Sequence, residues 1–327
     1  MIKKALHTKP FGVIAHRGGG LEAPENTIKG IKHAIRIKAD IVEVDIRSTK
    51  DGELILLHDS DFDRVAGIAK EAKELEFSYI KENILIEDSE PVATLVEALE
   101  VARGKIAMFL EIKEPEICQK VVELVQEQQM QQNVCIISFY EEVMSEVKRL
   151  DSTIATGLVY SYPPGKIPEA KQLGCALVLP HYRIATAKAN KFAHHIHLKV
   201  GVWTVNEEDL ALAMYERGAD FVASDYPKML LKLRKKLQEG GIIEKEKIEF
   251  LIEEVDDILL RKVILGKDHY LIERDPRKDN TYHTIKENYN NNFYIFDEYK
   301  EEKQTNEVVM VQKIKRSKVD EILKKFG

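Results

Sequence analysis

The chain has 327 residues, of which 44% are hydrophobic and 32% charged, with a net charge of −6 at pH 7. Such a composition excludes a wholly disordered chain, and the acidic balance argues against a protein built to grip nucleic acid, which would carry a basic excess or patch. The length suits one large α/β domain, of the roughly 250 residues at which β/α barrels close, plus a smaller appendage.

Near the N-terminus, Lys3 and Lys4 are followed by His7, Thr8 and Lys9 where a secretory signal needs an unbroken apolar run. No apolar stretch approaches the roughly 20 residues that cross a bilayer. These features predict a cytoplasmic protein without stable membrane insertion. Short β-rich runs then recur at Phe11 to Ala15, Ile41 to Ile46, Ile106 to Ile112, Val134 to Ser138, Ile154 to Val159, Ala176 to Leu179, Val200 to Val205 and Phe221 to Ser224. Between them, Thr27 to Ile37, Glu116 to Gln129, Glu141 to Leu150, Ala187 to His195 and Glu207 to Arg217 carry apolar residues at helical spacing. This alternation implies parallel strands, and eight is the number that closes a β/α barrel, the TIM (β/α)8 barrel. An open doubly wound sheet would show GxGxxG after its first strand, whereas here the strand runs into His16, Arg17, Gly18, Gly19 and Gly20.

After a helix over Pro227 to Leu237, Gly240 and Gly241 read as a hinge, so the barrel domain is expected to span 1–240 and a small α+β extension 241–327. In the extension, residues 242–264 are predicted as one amphipathic helix, His269 to Glu273, Phe293 to Tyr299 and Val308 to Ile314 as strands, and Val319 to Phe326 as a last helix. Its 17 basic and 19 acidic side chains give no footprint for nucleic acid, and point instead to a homo-oligomer contact or a lid. Cys118, Cys135 and Cys175 are odd in number and widely spaced, which fits buried free thiols and neither a disulfide framework nor a zinc site.

The chemistry is concentrated at strand ends. In the run from Ile41 to Ile46, the period of two sends Val42, Val44 and Ile46 to one face and Glu43 with Asp45 to the other. Phe109, Glu111 and Lys113 likewise share a face. Three carboxylates projecting together into a barrel mouth need compensation, and an all-oxygen set suits a divalent metal ion, Mg2+ or Ca2+ with Mn2+ also suited, over zinc. His16 and His58 each follow an apolar run and offer imidazoles for paired acid and base roles. Arg17 and Lys113 are candidate phosphate contacts. Trp203, the only tryptophan, is placed facing inward as a core aromatic or as a wall for substrate.

The ordered set His16-Arg17-Gly18, Pro24-Glu25-Asn26-Thr27, Glu43-Val44-Asp45, Lys50-Asp51-Gly52, His58-Asp59, Thr94-Leu95, Glu111-Ile112-Lys113, Ser138-Phe139, Trp203 to Asn206 and Ser224 to Pro227 resembles the glycerophosphodiester phosphodiesterase family over residues 11–235. The resemblance implies a TIM barrel that hydrolyses glycerophosphodiesters, small-molecule substrates, to an alcohol and sn-glycerol 3-phosphate with a bound divalent metal. By position it implies Glu43, Asp45 and Glu111 as metal ligands, His16 and His58 as acid and base, and Arg17 and Lys113 on the phosphate. Glu25 falls at the family's acidic position after proline, where it positions Arg17 or approaches the metal. Two readings stand beside this one: a lysophospholipase D and a regulatory barrel that binds without turnover. The extension beyond 240 lies outside the resemblance. The short stretch from His58 to Thr94 predicts only a small insertion near the site.

Overall fold

The computed structural model describes residues 1–163 and 165–239 and, beyond them, six strands between positions 248 and 314. The chain divides into two compact units, Met1–Gly241 and Ile242–Gly327.

In the first unit, eight parallel strands form a closed TIM barrel: β1 (Gly12–Ala15), β2 (Ile41–Ser48), β3 (Ala107–Ile112), β4 (Val134–Ser138), β5 (Ala155–Tyr160), β6 (Leu177–Pro180), β7 (Lys199–Val202) and β8 (Phe221–Ser224). All eight expected strands are present. The ring shuts where β1 pairs with both the last strand, Gly12 opposite Phe221, and the second, Ile14 opposite Ile41. The helices fold for local reasons that the sequence carries. Over Ile28–Ile37, for example, Thr27 caps the N-terminus by accepting from the Gly30 amide at 3.0 Å, and Ile31 with Ala34 forms the buried stripe.

Side-chain direction follows the period of two. Ile41, Ala107, Phe109, Ile137, Val159, Leu177, Leu179 and Phe221 face inward and make one apolar cluster inside the ring. A short helix, Ile2–Ala5, closes the base of this cluster by inserting Ile2, Ala5 and Leu6. Burying a side chain such as Ile2 stabilises by about 1.5–3 kcal/mol. The register stacks inward layers: Ile41 opposite Ala107, Glu43 opposite Phe109, Asp45 opposite Glu111. Moving along these two strands from base to rim, the interior therefore changes from apolar to acidic.

The stretch between His58 and Thr94 is more than a plain connection. It contains two small hairpins and two α-helices, Asp63–Ala66 and Phe77–Asn83, and holds its own buried cluster of Phe62, Val65, Leu75, Ile80, Ile84 and Ile86 under Ile55 and Leu57. Cys118, Cys135 and Cys175 are buried free thiols. Among the described residues no helix is long and apolar enough to cross a membrane.

At the base, Asp220 ties two strands and a helix. Its carboxylate accepts from Lys199 Nζ at 2.9 Å, from the Val200 amide at 3.0 Å and from His194 Nε2 at 2.8 Å. Burial alone would raise its pKa, but these donors outweigh it and hold the group below the usual carboxylate value. A depressed carboxylate contributes stability that is complete above its unfolded pKa and is lost as pH falls through the folded value. Asp220→Asn is therefore expected to lose about 1–3 kcal/mol in urea denaturation at neutral pH. Its deficit should vanish in acid.

The second unit differs from expectation. Ile248–Val255 and Ile258–Leu265 are two antiparallel strands, with Glu249 opposite Ile264 and Val255 opposite Ile258, and not one helix over 242–264. Short apolar runs such as Phe250 to Ile252 and Val263 to Leu265 fit either period. What separates the cases is that each run has strand length, is rich in Ile and Val, and is broken from the other by Asp256-Asp257. His269–Glu273, Tyr282–Glu287, Phe293–Phe296 and Val311–Ile314 continue the sheet in sequence order, so it is a six-stranded meander. Tyr282–Glu287 was not anticipated. The predicted last helix, Val319 to Phe326, lies outside the described residues.

Candidate active site

The C-terminal ends of the barrel strands surround a cavity of about 160 Å³. His16, Arg17, Glu43, Asp45, His58, Glu111, Lys113 and Trp203 all line it, so eight of the nine predicted site residues meet in one place. The ninth, Glu25, is set back from it. Carboxylate oxygens of Glu43, Asp45 and Glu111 lie within 4.8 Å of one another. Two oxygens bound to one Mg2+ or Ca2+ at 2.0–2.6 Å are at most about 5 Å apart, so the trio has the span to share one ion.

The loop after β1 carries His16 and Arg17 into the mouth. Gly18 makes this possible: its φ is +86°, and a Cβ there would meet the Gly30 carbonyl carbon at 2.8 Å. The Arg17 amide donates to Glu43 Oε2 at 2.8 Å, while its guanidinium Nε stands 3.5 Å from Asp45. His16 Nδ1 donates to Asp225 Oδ1 at 2.7 Å, which leaves Nε2 to face the cavity, 4.0 Å from Glu43. Asp225 is itself fixed by Asn206, whose Nδ2 donates to Oδ2 at 2.8 Å. Across the mouth, His58 Nδ1 donates to Asp59 Oδ1 at 2.7 Å. Both imidazoles are thus anchored at Nδ1 by an aspartate, the arrangement that fixes a tautomer and presents Nε2 for proton transfer.

The acids are not equivalent. Burial first, and then the charge of Asp45, push the Glu43 carboxyl up to about 8, and the same two causes raise Glu111. Asp45 resists its burial, because Lys113, His58 and Arg17 supply positive charge and Asn26 a 2.8 Å hydrogen bond, and its pKa lies at about 2. Lys113 Nζ sits 2.7 Å from Glu111 and 3.4 Å from Asp45, and these acids hold its pKa above the ordinary value despite burial. Burial lowers the His16 pKa, but the Asp225 hydrogen bond and Glu43 outweigh it, so the net shift is upward. His58 is lowered, by burial chiefly and by Lys113 and Arg17, against the pull of Asp45.

Protein cations therefore serve Asp45 and Glu111 but leave Glu43 short. Glu43 Oε1 is buried and has no hydrogen-bond partner. An orphaned carboxylate oxygen beside two further acids is the environment that a hard cation satisfies. The donor set fits a divalent metal ion.

The lining is completed by an apolar wall of Phe109, Ile137, Phe139, Val159, Leu179 and Trp203. Trp203 is partly buried; its Nε1 donates to the Leu179 carbonyl at 2.8 Å, and its ring stands edge-on to Phe139 at 5.6 Å and His181 at 5.2 Å. Glu25 is 3.4 Å from Arg17 but bonds more closely to Arg64, at 2.7 and 2.8 Å. Sequence reasoning gave no role to Asn26, Asp59, Asn206, Asp225 or Arg64. The first four stand inside or beside the motif runs, which is the signal that marked them; Arg64 had none.

A TIM barrel with its ionisable groups gathered at the C-terminal rim has the layout of an enzyme. Residues 16–229 match the glycerophosphoryl diester phosphodiesterase family, and residues 241–326 match a family of unknown function (DUF7132). The chain belongs to the glycerophosphoryl diester phosphodiesterase family, and with it to the phosphoric diester hydrolases. It is 28% identical over 250 residues to a glycerophosphodiester phosphodiesterase of Caldanaerobacter subterraneus, covering 68% of this chain and 98% of that one. Among solved structures, an Oleispira antarctica phosphodiesterase in complex with the product sn-glycerol-3-phosphate superposes with a TM-score of 0.63 at 26% identity, covering 68% of this chain and 96% of that one. A putative glycerophosphoryl diester phosphodiesterase of Silicibacter pomeroyi shares the fold, with a TM-score of 0.67 at 20% identity over 72% of this chain and 97% of that one.

Proposed function

We propose that this barrel hydrolyses small glycerophosphodiesters to an alcohol and sn-glycerol 3-phosphate, with a divalent ion held by Glu43, Asp45 and Glu111 and with protons exchanged at His16 and His58. The observation that carries the reading is the meeting, in one cavity, of three carboxylates, two aspartate-anchored imidazoles and two cations. The Oleispira relative's complex with glycerol 3-phosphate supports the same product here.

A bound divalent ion would offset the charge that builds on the phosphoryl oxygens as the diester reacts. Arg17 and Lys113 line the cavity beside the acids and orient the phosphate, Arg17 by its fork of donors and Lys113 as a point charge. At Nε2, one histidine takes the proton of the attacking hydroxyl, which belongs to water or to the glycerol 2-position. The other gives its proton to the departing alkoxide, which leaves the two protonation states exchanged after this step. Where the glycerol 2-hydroxyl attacks, the product of the step is a cyclic phosphate, and water then opens it to glycerol 3-phosphate with the two histidines in reversed roles, which restores them; after direct attack by water, proton exchange with solvent restores them. Phe139 and Trp203 offer an apolar surface to the alcohol portion of the diester.

The test is glycerol 3-phosphate release from glycerophosphocholine, glycerophosphoethanolamine and glycerophosphoglycerol with magnesium, calcium or manganese. Turnover of at least one diester that stops on chelation is the expected result. No release from any of the three would overturn the reading. The apolar wall favours a second reading, cleavage of lysophospholipids, and lysophosphatidylcholine run beside the diesters decides between them: the small-substrate reading requires higher kcat/KM on a water-soluble diester.

A further inference from the structure

Arg64 lies outside the cavity and yet touches both flanks of it. It belongs to the short helix Asp63–Ala66, whose Val65 is locked into the buried cluster of the insertion. Its guanidinium makes three charged hydrogen bonds: Nη1 to Glu25 Oε2 at 2.8 Å, Nη2 to Glu25 Oε1 at 2.7 Å and Nε to Asp59 Oδ2 at 2.6 Å. Each acceptor has a second partner in the site. The other oxygen of Asp59 accepts from His58 Nδ1, and Glu25 lies 3.4 Å from Arg17 Nη1. The His58 main chain is held separately, its carbonyl accepting from Arg47 Nε at 2.9 Å while Arg47 pairs with Glu114 at 2.9 Å.

From this geometry we infer that Arg64 is a positioning residue, which sets the His58 imidazole through Asp59 and the Arg17 guanidinium through Glu25 at the same time. The inference rests on the proposed hydrolysis for the roles of His58 and Arg17. With the main chain of His58 already fixed by Arg47, the remaining freedom of that residue is rotation of its ring, and Asp59 is the group that stops it. Asp59 is held in turn by Arg64. On the other flank, Glu25 spans two guanidiniums, and its bidentate pairing with Arg64 keeps it from collapsing onto Arg17 and drawing that side chain out of the cavity.

Only arginine has the donors for this task. Its planar fork grips a carboxylate with two parallel bonds and still presents Nε to a second acceptor, whereas a lysine is a single point donor. The Arg64 side chain is 48% exposed, so its ion pairs are expected to add little to global stability. That exposure argues against a role in holding the fold, and the bonds to Asp59 and Glu25 are what point to orientation of the site.

The experiment compares Arg64→Ala and Arg64→Lys with Asp59→Asn and Glu25→Gln by steady-state kinetics on a glycerophosphodiester, thermal melting, and 15N chemical shifts of the His58 ring, assigned by their loss in His58→Gln and read at alkaline pH. In the unaltered protein His58 is expected to be a single Nδ1–H tautomer. Both Arg64 variants should turn it into a mixture, lower kcat/KM by about tenfold to a hundredfold, the range seen when a group supporting a site residue is lost, and leave melting nearly unchanged. Asp59→Asn should act on kcat and Glu25→Gln on KM, with Arg64→Ala moving both. Combined with either, Arg64→Ala should cost less than the product of the single effects. An unchanged tautomer in Arg64→Ala would overturn the inference, as would full additivity or a loss of activity that only tracks a loss of melting temperature. Should the protein cleave no diester at all, the proposed hydrolysis fails, and the ring shifts alone still decide whether Arg64 positions His58.

Discussion

Metal-free protein is expected to gain several degrees of thermal stability when magnesium or calcium is added, and Glu43→Gln is expected to lose both that gain and catalysis. Without an ion, Glu43, Asp45 and Glu111 crowd one cavity and Glu43 Oε1 has no partner. A ligand present at about 100 times its Kd stabilises by about 2.7 kcal/mol, or roughly 5–10 °C for a barrel of this size. The gain should also depend on pH in a defined direction. Folding raises the Glu43 carboxyl to about 8, so in the metal-free protein the folded state keeps a proton that the unfolded chain releases. Stability then falls as pH rises from the ordinary glutamate value toward 8. The ion competes with that proton, and the stabilisation by metal should grow over the same interval. Glu43→Gln relieves the crowding, so its metal-free form should melt no lower than the unaltered protein. Its kcat/KM should drop by about a thousandfold or more, near 4 kcal/mol of transition-state stabilisation. Melting curves with and without chelator, at two pH values, check the first part. A Glu43→Gln protein that still responds to metal and still turns over would remove the three-carboxylate site.

His16→Ala and His58→Ala are each expected to lower kcat by about a hundredfold to ten-thousandfold, the usual worth of a positioned acid or base. Neither ring is a structural keystone: both line an open cavity, and each has one strong partner, Asp225 or Asp59. Melting should therefore move little. If both imidazoles act in one proton cycle, as proposed, the double variant should fall well short of the product of the two single losses. Asp225→Asn should copy His16→Ala in weaker form, since the histidine remains but loses the acceptor that orients it. Parallel kcat and melting measurements on the four proteins test this, and full activity in either single alanine variant would end the two-histidine scheme.

Much of the barrel was legible because it depends on local repeats. Alternation along Ile41 to Ile46 and along Met108 to Lys113 is enough to say which residues face inward, and the register of β2 against β3 puts Asp45 opposite Glu111 as that alternation requires. The same reasoning failed after Gly241, where apolar runs without a clean period made a hairpin look like a helix. Direction along a strand says nothing about partners far away in the chain. The pairing of His16 with Asp225, of Asn26 with Asp45 and of Arg64 with both Glu25 and Asp59 arises from how loops fold over the rim. Glu25 shows the limit well: its position after Pro24 marked it as important, but only the placement of Arg64 explains why it stands back from the acidic trio.

The closure of β1 onto β8 also sets a timetable for synthesis. Gly12 and Phe221 are register partners but leave the ribosome some two hundred residues apart, which at about 5–20 residues per second is about 10–40 s. Throughout that interval the strand Gly12–Ala15 has one edge without its permanent neighbour, and the loop bearing His16 and Arg17 has no Asp225 to order it. A nascent chain stalled before β8 is an open sheet with a free apolar edge, and it needs a chaperone more than the finished protein does.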